Sequence, residues 1–162
     1  MDTELTPTEQ KLVDHAKKSI EKYNKQRHKR NGIDTLYGFL ITEEGNIYDG
    51  AAFEPNLAHA TICGERHAIA NMVMNDAYNT KIKSIVVADP VPSIQDRCTP
   101  HCGTCRHLIW QFGNPDTTVI LMQYIQGKSE NGEINWTFPK LEKLIIKNLY
   151  PYPYDPNPNL WK

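Results

Sequence analysis

The chain reads as an α/β protein: a three-layer α/β/α sandwich around one mixed, five-stranded sheet. Three observations predict it. Apolar residues recur at helical spacing near both ends of the 162-residue chain. Short Val-, Ile- and Thr-rich runs lie between them. Two cysteine-bearing segments stand where a loop turns into a helix. Helix, hairpin, helix, strand, helix, strand, strand, helix is an order that puts helices on both faces of one sheet. The hairpin makes part of that sheet antiparallel, and the helical crossovers make later strands parallel.

Thr6-Pro7-Thr8-Glu9 is a capping box with proline at the first helical position. Leu12, Ala16, Ile20 and Tyr23 then mark one face of a helix over roughly 7–29, stopped at Asn31-Gly32. Its end is basic (Lys22, Lys25, Arg27, His28, Lys29, Arg30), which suits the helix dipole and reads as a solvated last turn. Strands are expected over 35–41 and 47–53, joined by the turn Glu43-Glu44-Gly45-Asn46 and closed by Pro55. A second helix follows from Cys63 to about Tyr78, then a buried central strand over 83–88. A proline-containing loop runs from Asp89 to Pro100, and a third helix from Cys102 to Phe112, ended by Gly113-Asn114-Pro115. A strand over 117–124, a polar loop over 126–133 and a short strand over 134–138 come next. Leu141, Leu144, Ile145 and Leu149 predict a final helix, and a Pro/Tyr-rich tail from about residue 150 is expected to be extended. No repeat or linker divides the chain, so a single domain over 1–162 is expected.

A composition of 40% hydrophobic and 23% charged residues is that of an ordinary globular protein. The formal charge of -1 gives no global field favouring nucleic acid or membrane. No run approaches the ~18 apolar residues of a membrane span. The first residues lack the pattern of a secretory signal, so a cytoplasmic location is the default expectation. In a reducing compartment four cysteines point to metal or catalysis rather than to disulfides.

The chemistry gathers in Thr61-Ile62-Cys63-Gly64-Glu65-Arg66-His67 and Pro100-His101-Cys102-Gly103-Thr104-Cys105-Arg106. Three thiolates, an open fourth position for water and a nearby carboxylate are what a hydrolytic zinc site needs. Cys63, Cys102 and Cys105 are the expected ligands of one Zn²⁺ per chain. Each cysteine segment opens a helix, where free N–H groups favour the thiolate. Glu65, close to the metal but not on it, is the expected proton carrier between water, ring nitrogen and leaving amine. Arg66 and Arg106 each follow a site residue and offset the charge of three thiolates on a divalent ion. Cys98 is either a loop or core thiol or the fourth ligand of a structural Cys₄ site, and His101 and His107 are further possible ligands. Glu54 is either a solvated strand-end acid or a residue of the same cleft.

Thr61-Ile62-Cys63-Gly64-Glu65-Arg66 closely resembles the T-I-C-A-E-R motif of the zinc-dependent cytidine deaminases. Cys102-Gly103-Thr104-Cys105-Arg106-His107-Leu108-Ile109-Trp110-Gln111-Phe112 resembles their C-G-x-C-R-Q-x-x-x-E-F. Gly50-Ala51-Ala52-Phe53-Glu54 looks like the segment before the first motif, and Leu149-Tyr150-Pro151 is similar to the closing L-L-P. The resemblance spans roughly residues 10–152. It implies a Cys₃ zinc hydrolase acting on the C–N bond of a cyclic amidine and assembled as a homotetramer or homodimer. It also places Phe53, Glu54 and Gly64 on the substrate side, Gly64 through its backbone.

Departures accompany it. The ribose-binding N-x-E falls on Ala52-Phe53-Glu54, which lacks the asparagine, and the family's nucleoside-packing phenylalanine falls near Thr35. His101 interrupts P-C-x-x-C. The implied substrate is a small aminopyrimidine other than plain cytidine: a free base, a modified or N-substituted cytosine, or a nucleoside antibiotic of the blasticidin S kind. Two other classes compete: a nucleic-acid deaminase, which needs a basic groove with stacking platforms, and an idle zinc-stabilised interaction module.

Overall fold

Thr6 starts the first helix through the capping box that its sequence predicts. The Glu9 N–H donates to Thr6 Oγ1 at 3.3 Å, and the Thr6 N–H donates to Glu9 Oε2 at 2.7 Å. The computed structural model describes residues 4–57, 60–78, 80–90 and 102–154. Among them the elements are α1 (Pro7–His28), β1 (Tyr37–Thr42), β2 (Ile47–Ala51), α2 (Gly64–Asp76), β3 (Ile82–Asp89), α3 (Gly103–Phe112), β4 (Thr118–Lys128), β5 (Ile134–Ile145) and α4 (Ile146–Leu149). Cys98, His101, the 91–100 part of the proline loop and the tail beyond Tyr154 lie outside the described residues.

The strands form one sheet in the order β2-β1-β3-β4-β5. β1 is antiparallel to both β2 and β3, β3 is parallel to β4, and β4 is antiparallel to β5. β2 and β3 therefore run in the same direction, and α2 and α3 are the crossovers of two successive parallel connections. Both helices start at the same end of the sheet, where open α/β sheets place their sites.

Alternation along the strands builds two cores. Leu12, Val13, Ala16 and Ile20 of α1 pack on Tyr37, Phe39, Ile41, Val86, Ile120 and Met122. On the other face Ala68, Ile69 and Met72 of α2 and Ile109 of α3 meet Leu40, Ile85, Val87, Val119 and Leu121. Each such aliphatic side chain contributes about 1.5–3 kcal/mol on leaving water. The three layers are as the sequence predicts. The basic end of α1 is only partly solvated: Arg27 Nε donates to Ile33 O at 2.7 Å, and His28 pairs with Asp34 at 2.7 Å.

Several boundaries move. β1 begins at Tyr37 rather than Thr35 because the Tyr124 hydroxyl takes both the N–H and the C=O of Thr35. β2 leaves β1 after Ala51, and Phe53 instead forms a single bridge with Ile62. α2 ends at Asp76, where Ala77 turns to φ 56°.

The expected final helix is a correction. Leu141, Leu144 and Ile145 belong to β5, a 12-residue strand, and α4 is one turn of four residues. In β5, Thr137 pairs with Ile125 and Lys140 with Gln123, so Phe138 and Pro139 together oppose Tyr124. This bulge inserts one residue. It stretches the same-face spacing of Phe138 and Leu141 from two to three, which imitates a helical period. Pro139 is tolerated because it sits at the bulge of an edge strand, where its missing N–H breaks no ladder bond.

Candidate active site

The helices that follow parallel strands β2 and β3 begin with the same backbone step. Cys63 (φ −67°, ψ 154°) and Cys102 (φ −68°, ψ 162°) occupy the N-caps of α2 and α3, and neither side chain caps its own helix. Cysteine is not a favoured N-cap, and here both thiols turn toward each other instead. Cys105, in the first turn of α3, is fully buried. The three sulfurs lie within 4.8 Å of one another, with Cys102 Sγ and Cys105 Sγ 3.5 Å apart.

Glycines bring α2 into place. A Cβ on Gly64 would stand 2.7 Å from Gly38 N, and one on Gly38 would stand 2.6 Å from Glu65 N. A Cβ on Gly50 would stand 2.3 Å from Gly64 O. Only bare backbone lets the helix start press onto the β1–β2 hairpin this closely. The result carries Cys63 to the metal-facing side and leaves Glu65 2% exposed.

Burial is the main cause that raises the Glu65 carboxyl above its usual range. Its own backbone N–H, the Cys105 thiol and Arg66 act downward, and Asp89 acts upward. Burial, then the Glu65 charge, pushes Cys63 up, and the same two causes push Cys105 far up. Cys102 ends below its ordinary value: burial works upward, but bonds from the Cys105 backbone and the two neighbouring thiols outweigh it. Three thiols and a buried carboxyl packed this closely cannot all ionise without a compensating cation. A divalent ion supplies that charge, and three thiolates with a fourth position open are a zinc donor set.

Two arginines flank the cluster. Arg66 Nη2 donates to Thr61 O at 2.6 Å, and Arg106 Nη1 donates to Leu149 O at 3.2 Å. The Nε atoms of both are buried without an acceptor among the described residues. Gly64 is buried in its contact with Gly38. Phe53 and Glu54 are exposed, Phe53 at 51%, on the segment that leaves β2. Phe53, Ala52, His67, Asn71 and Met74 line an open groove of about 480 Å³ on the β2 side of α2. His107 touches the Tyr150 hydroxyl at 3.3 Å and takes no place among the clustered sulfurs.

Sequence reasoning passed over Asp89 and Gln123. They are partners in the last pair of the β3–β4 ladder, Asp89 at the carboxyl end of β3 and Gln123 midway along β4, both buried. For Asp89 the signal was available: a polar residue closing an apolar strand at the end where α/β sites form. His67, whose Nδ1 lies 2.5 Å from Ala51 O, was also passed over.

Residues 7–122 match the family model of the cytidine and deoxycytidylate deaminase zinc-binding region. The chain belongs to that family. Its fold is similar to that of cytidine deaminase from Burkholderia pseudomallei (TM-score 0.53, 20% identity, covering 85% of this chain and 98% of that one). It is similar also to the cytidine deaminase from Bacillus anthracis (TM-score 0.50, 17% identity, 86% and 88% covered). A third match is cytidine deaminase from Mycobacterium tuberculosis (TM-score 0.53, 12% identity, 75% and 79% covered). As a member of this deaminase family the chain is a zinc-dependent hydrolytic deaminase of a pyrimidine. Among the described residues no helix is long and apolar enough to cross a membrane.

Proposed function

We propose that this deaminase hydrolyses the exocyclic C–N bond of a cytosine-type ring that does not carry a plain ribose, releasing ammonia or an amine. One observation carries the reading: three sulfurs within 4.8 Å at two helix starts, with Glu65 buried two residues beyond Cys63. Cys63, Cys102 and Cys105 would hold the zinc. The chemistry zinc supplies at such a site is to make a water in its open position acidic enough to attack at neutral pH.

Glu65 takes one proton of the attacking water and delivers it to the ring nitrogen, then takes the second proton from the added hydroxyl as the C=O forms and passes it to the leaving amine as the C–N bond breaks. Arg66 and Arg106 balance the charge of the thiolates. Gly64 offers backbone to the ring, and Phe53 and Glu54 face the ring's substituent. Support for a substituent other than ribose comes from Ala52 at the asparagine position and from Thr35. The latter is buried, with its backbone engaged by Tyr124 rather than presented to a ligand. The exposed apolar residues Phe53, Leu57, Met74 and Tyr78 support assembly into a homodimer or homotetramer. A single domain in a cytoplasmic setting completes the reading.

The test is a substrate panel on zinc-loaded protein: cytidine, deoxycytidine, cytosine, modified cytosines, blasticidin S, adenosine and guanine. Released amine is followed, with Glu65→Gln as control. Turnover of a modified cytosine or antibiotic above cytidine, lost in the variant, supports the proposal. Cytidine as the best of the panel overturns the substrate part. Silence across the panel with zinc bound overturns the catalytic part.

A further inference from the structure

We propose that His67 is a positioning residue. Its imidazole locks the end of β2, and with it Phe53 and Glu54, to the helix that carries Cys63 and Glu65. Substrate affinity depends on it, while metal binding and proton transfer do not. The inference rests on the site reading above.

β2 is an edge strand. The Ala52 N–H donates inward to Leu36 O at 2.8 Å, so by alternation the carbonyls of Asp49 and Ala51 point off the sheet. Unpaired edge groups are a liability unless something covers them. Side chains of α2 do so in register. His67 Nδ1 meets Ala51 O at 2.5 Å, and one helical turn on, Asn71 Nδ2 donates to Asp49 O at 3.4 Å. A carbonyl only accepts, so Nδ1 is the protonated ring nitrogen. Beyond Ala51 the same edge is closed by backbone: Phe53 N–H to Ile62 O at 2.8 Å and Ile62 N–H to Phe53 O at 2.9 Å.

The remaining contacts give His67 its particular place. Its ring centroid lies 6.4 Å from that of Phe53. Its own N–H makes the first helical bond of α2, to Cys63 O at 3.2 Å. One residue thus touches the metal helix through its backbone and the candidate recognition segment through its side chain. The Asn71 bond is longer and a turn farther from Phe53, so it does not substitute.

The experiment compares H67L, H67Q and H67N in the zinc-loaded full chain. The amide nitrogen of asparagine sits where Nδ1 does. That of glutamine lies one atom too far, and leucine has none. In H67L and H67Q the Phe53 and Ile62 amides should exchange about tenfold faster, the equilibrium equivalent of one net hydrogen bond. Exchange in α3 and zinc content should stay at wild-type values. KM for the pyrimidine turned over best should rise about tenfold, with kcat within about twofold. H67N should restore both. Unchanged Phe53 and Ile62 exchange in H67L and H67Q overturns the proposal, as does a fall in kcat that tracks zinc loss at constant KM. The exchange measurement needs no substrate, so a failure of the deaminase reading on the panel leaves this proposal still decided.

Discussion

The starts of α2 and α3 are the same local motif in opposite surroundings. Each has cysteine at the N-cap with nearly identical backbone angles, and each has glycine next. Around Gly64 the backbone of β1 closes to 2.7 Å of where a Cβ would be, whereas around Gly103 nothing among the described residues lies within 4 Å. One helix start is built into the sheet, and the other stands against it with room to spare. The lesson is that a shared motif does not imply a shared constraint. Gly64 is dictated by packing, Gly103 is not, and the metal site joins a fixed half to a looser one.

The largest expected effect lies on the fixed half. Glu65→Gln should lower turnover by about 10²–10⁴-fold, the range of a lost general acid–base, with zinc content and unfolding midpoint kept. A mutant that retains activity removes Glu65 from the mechanism. Next comes the contrast itself. Gly64→Ala should destabilise by about 1–3 kcal/mol, as overpacking against backbone does, while Gly103→Ala should stay within about 0.5 kcal/mol. Denaturant unfolding of both variants reads this directly, and equal costs would erase the contrast.

Removing zinc should sharpen it further. With chelator, amides of the first turn of α3 should exchange faster by about tenfold or more, while those at the start of α2, held by the hairpin, change little. Uniform loosening would mean that the metal, not the glycine contact, seats both helices.

The smallest effect is a control away from both starts. Burial raises the Glu9 carboxyl, but the bond from Lys143 at 2.7 Å and those from Thr6 outweigh it and leave its pKa lowered from 4.5. A lowered carboxylate pKa adds stability above the unfolded value, and that stability is lost as pH falls through the folded one. Lys143→Met should therefore cost more at pH about 6 than at pH about 3, as thermal unfolding at the two values would show.

Much of this was legible in the residues. Cys63, Glu65, Cys102 and Cys105 fall together because two motifs open two crossover helices, and that order is written in the alternation of strand and helix signals. The glycine contacts were not legible, because Gly38 and Gly50 look like ordinary strand glycines until the hairpin is paired. β5 was misread for a physical reason: the bulge at Phe138-Pro139 shifts the alternation by one and gives Phe138 and Leu141 a helical spacing on one face. His67 escaped notice because its partner is a backbone carbonyl, which leaves no mark in sequence.

That bulge also bears on the exposed edge of the sheet. An edge strand is an open template for another strand, and repeated addition is how sheets polymerise into fibres. Along β5 an incoming strand meets Pro139, which has no N–H to offer, and the alternating charges of Lys140, Glu142 and Lys143. The feature that disguised the strand in the sequence thus guards it against runaway growth.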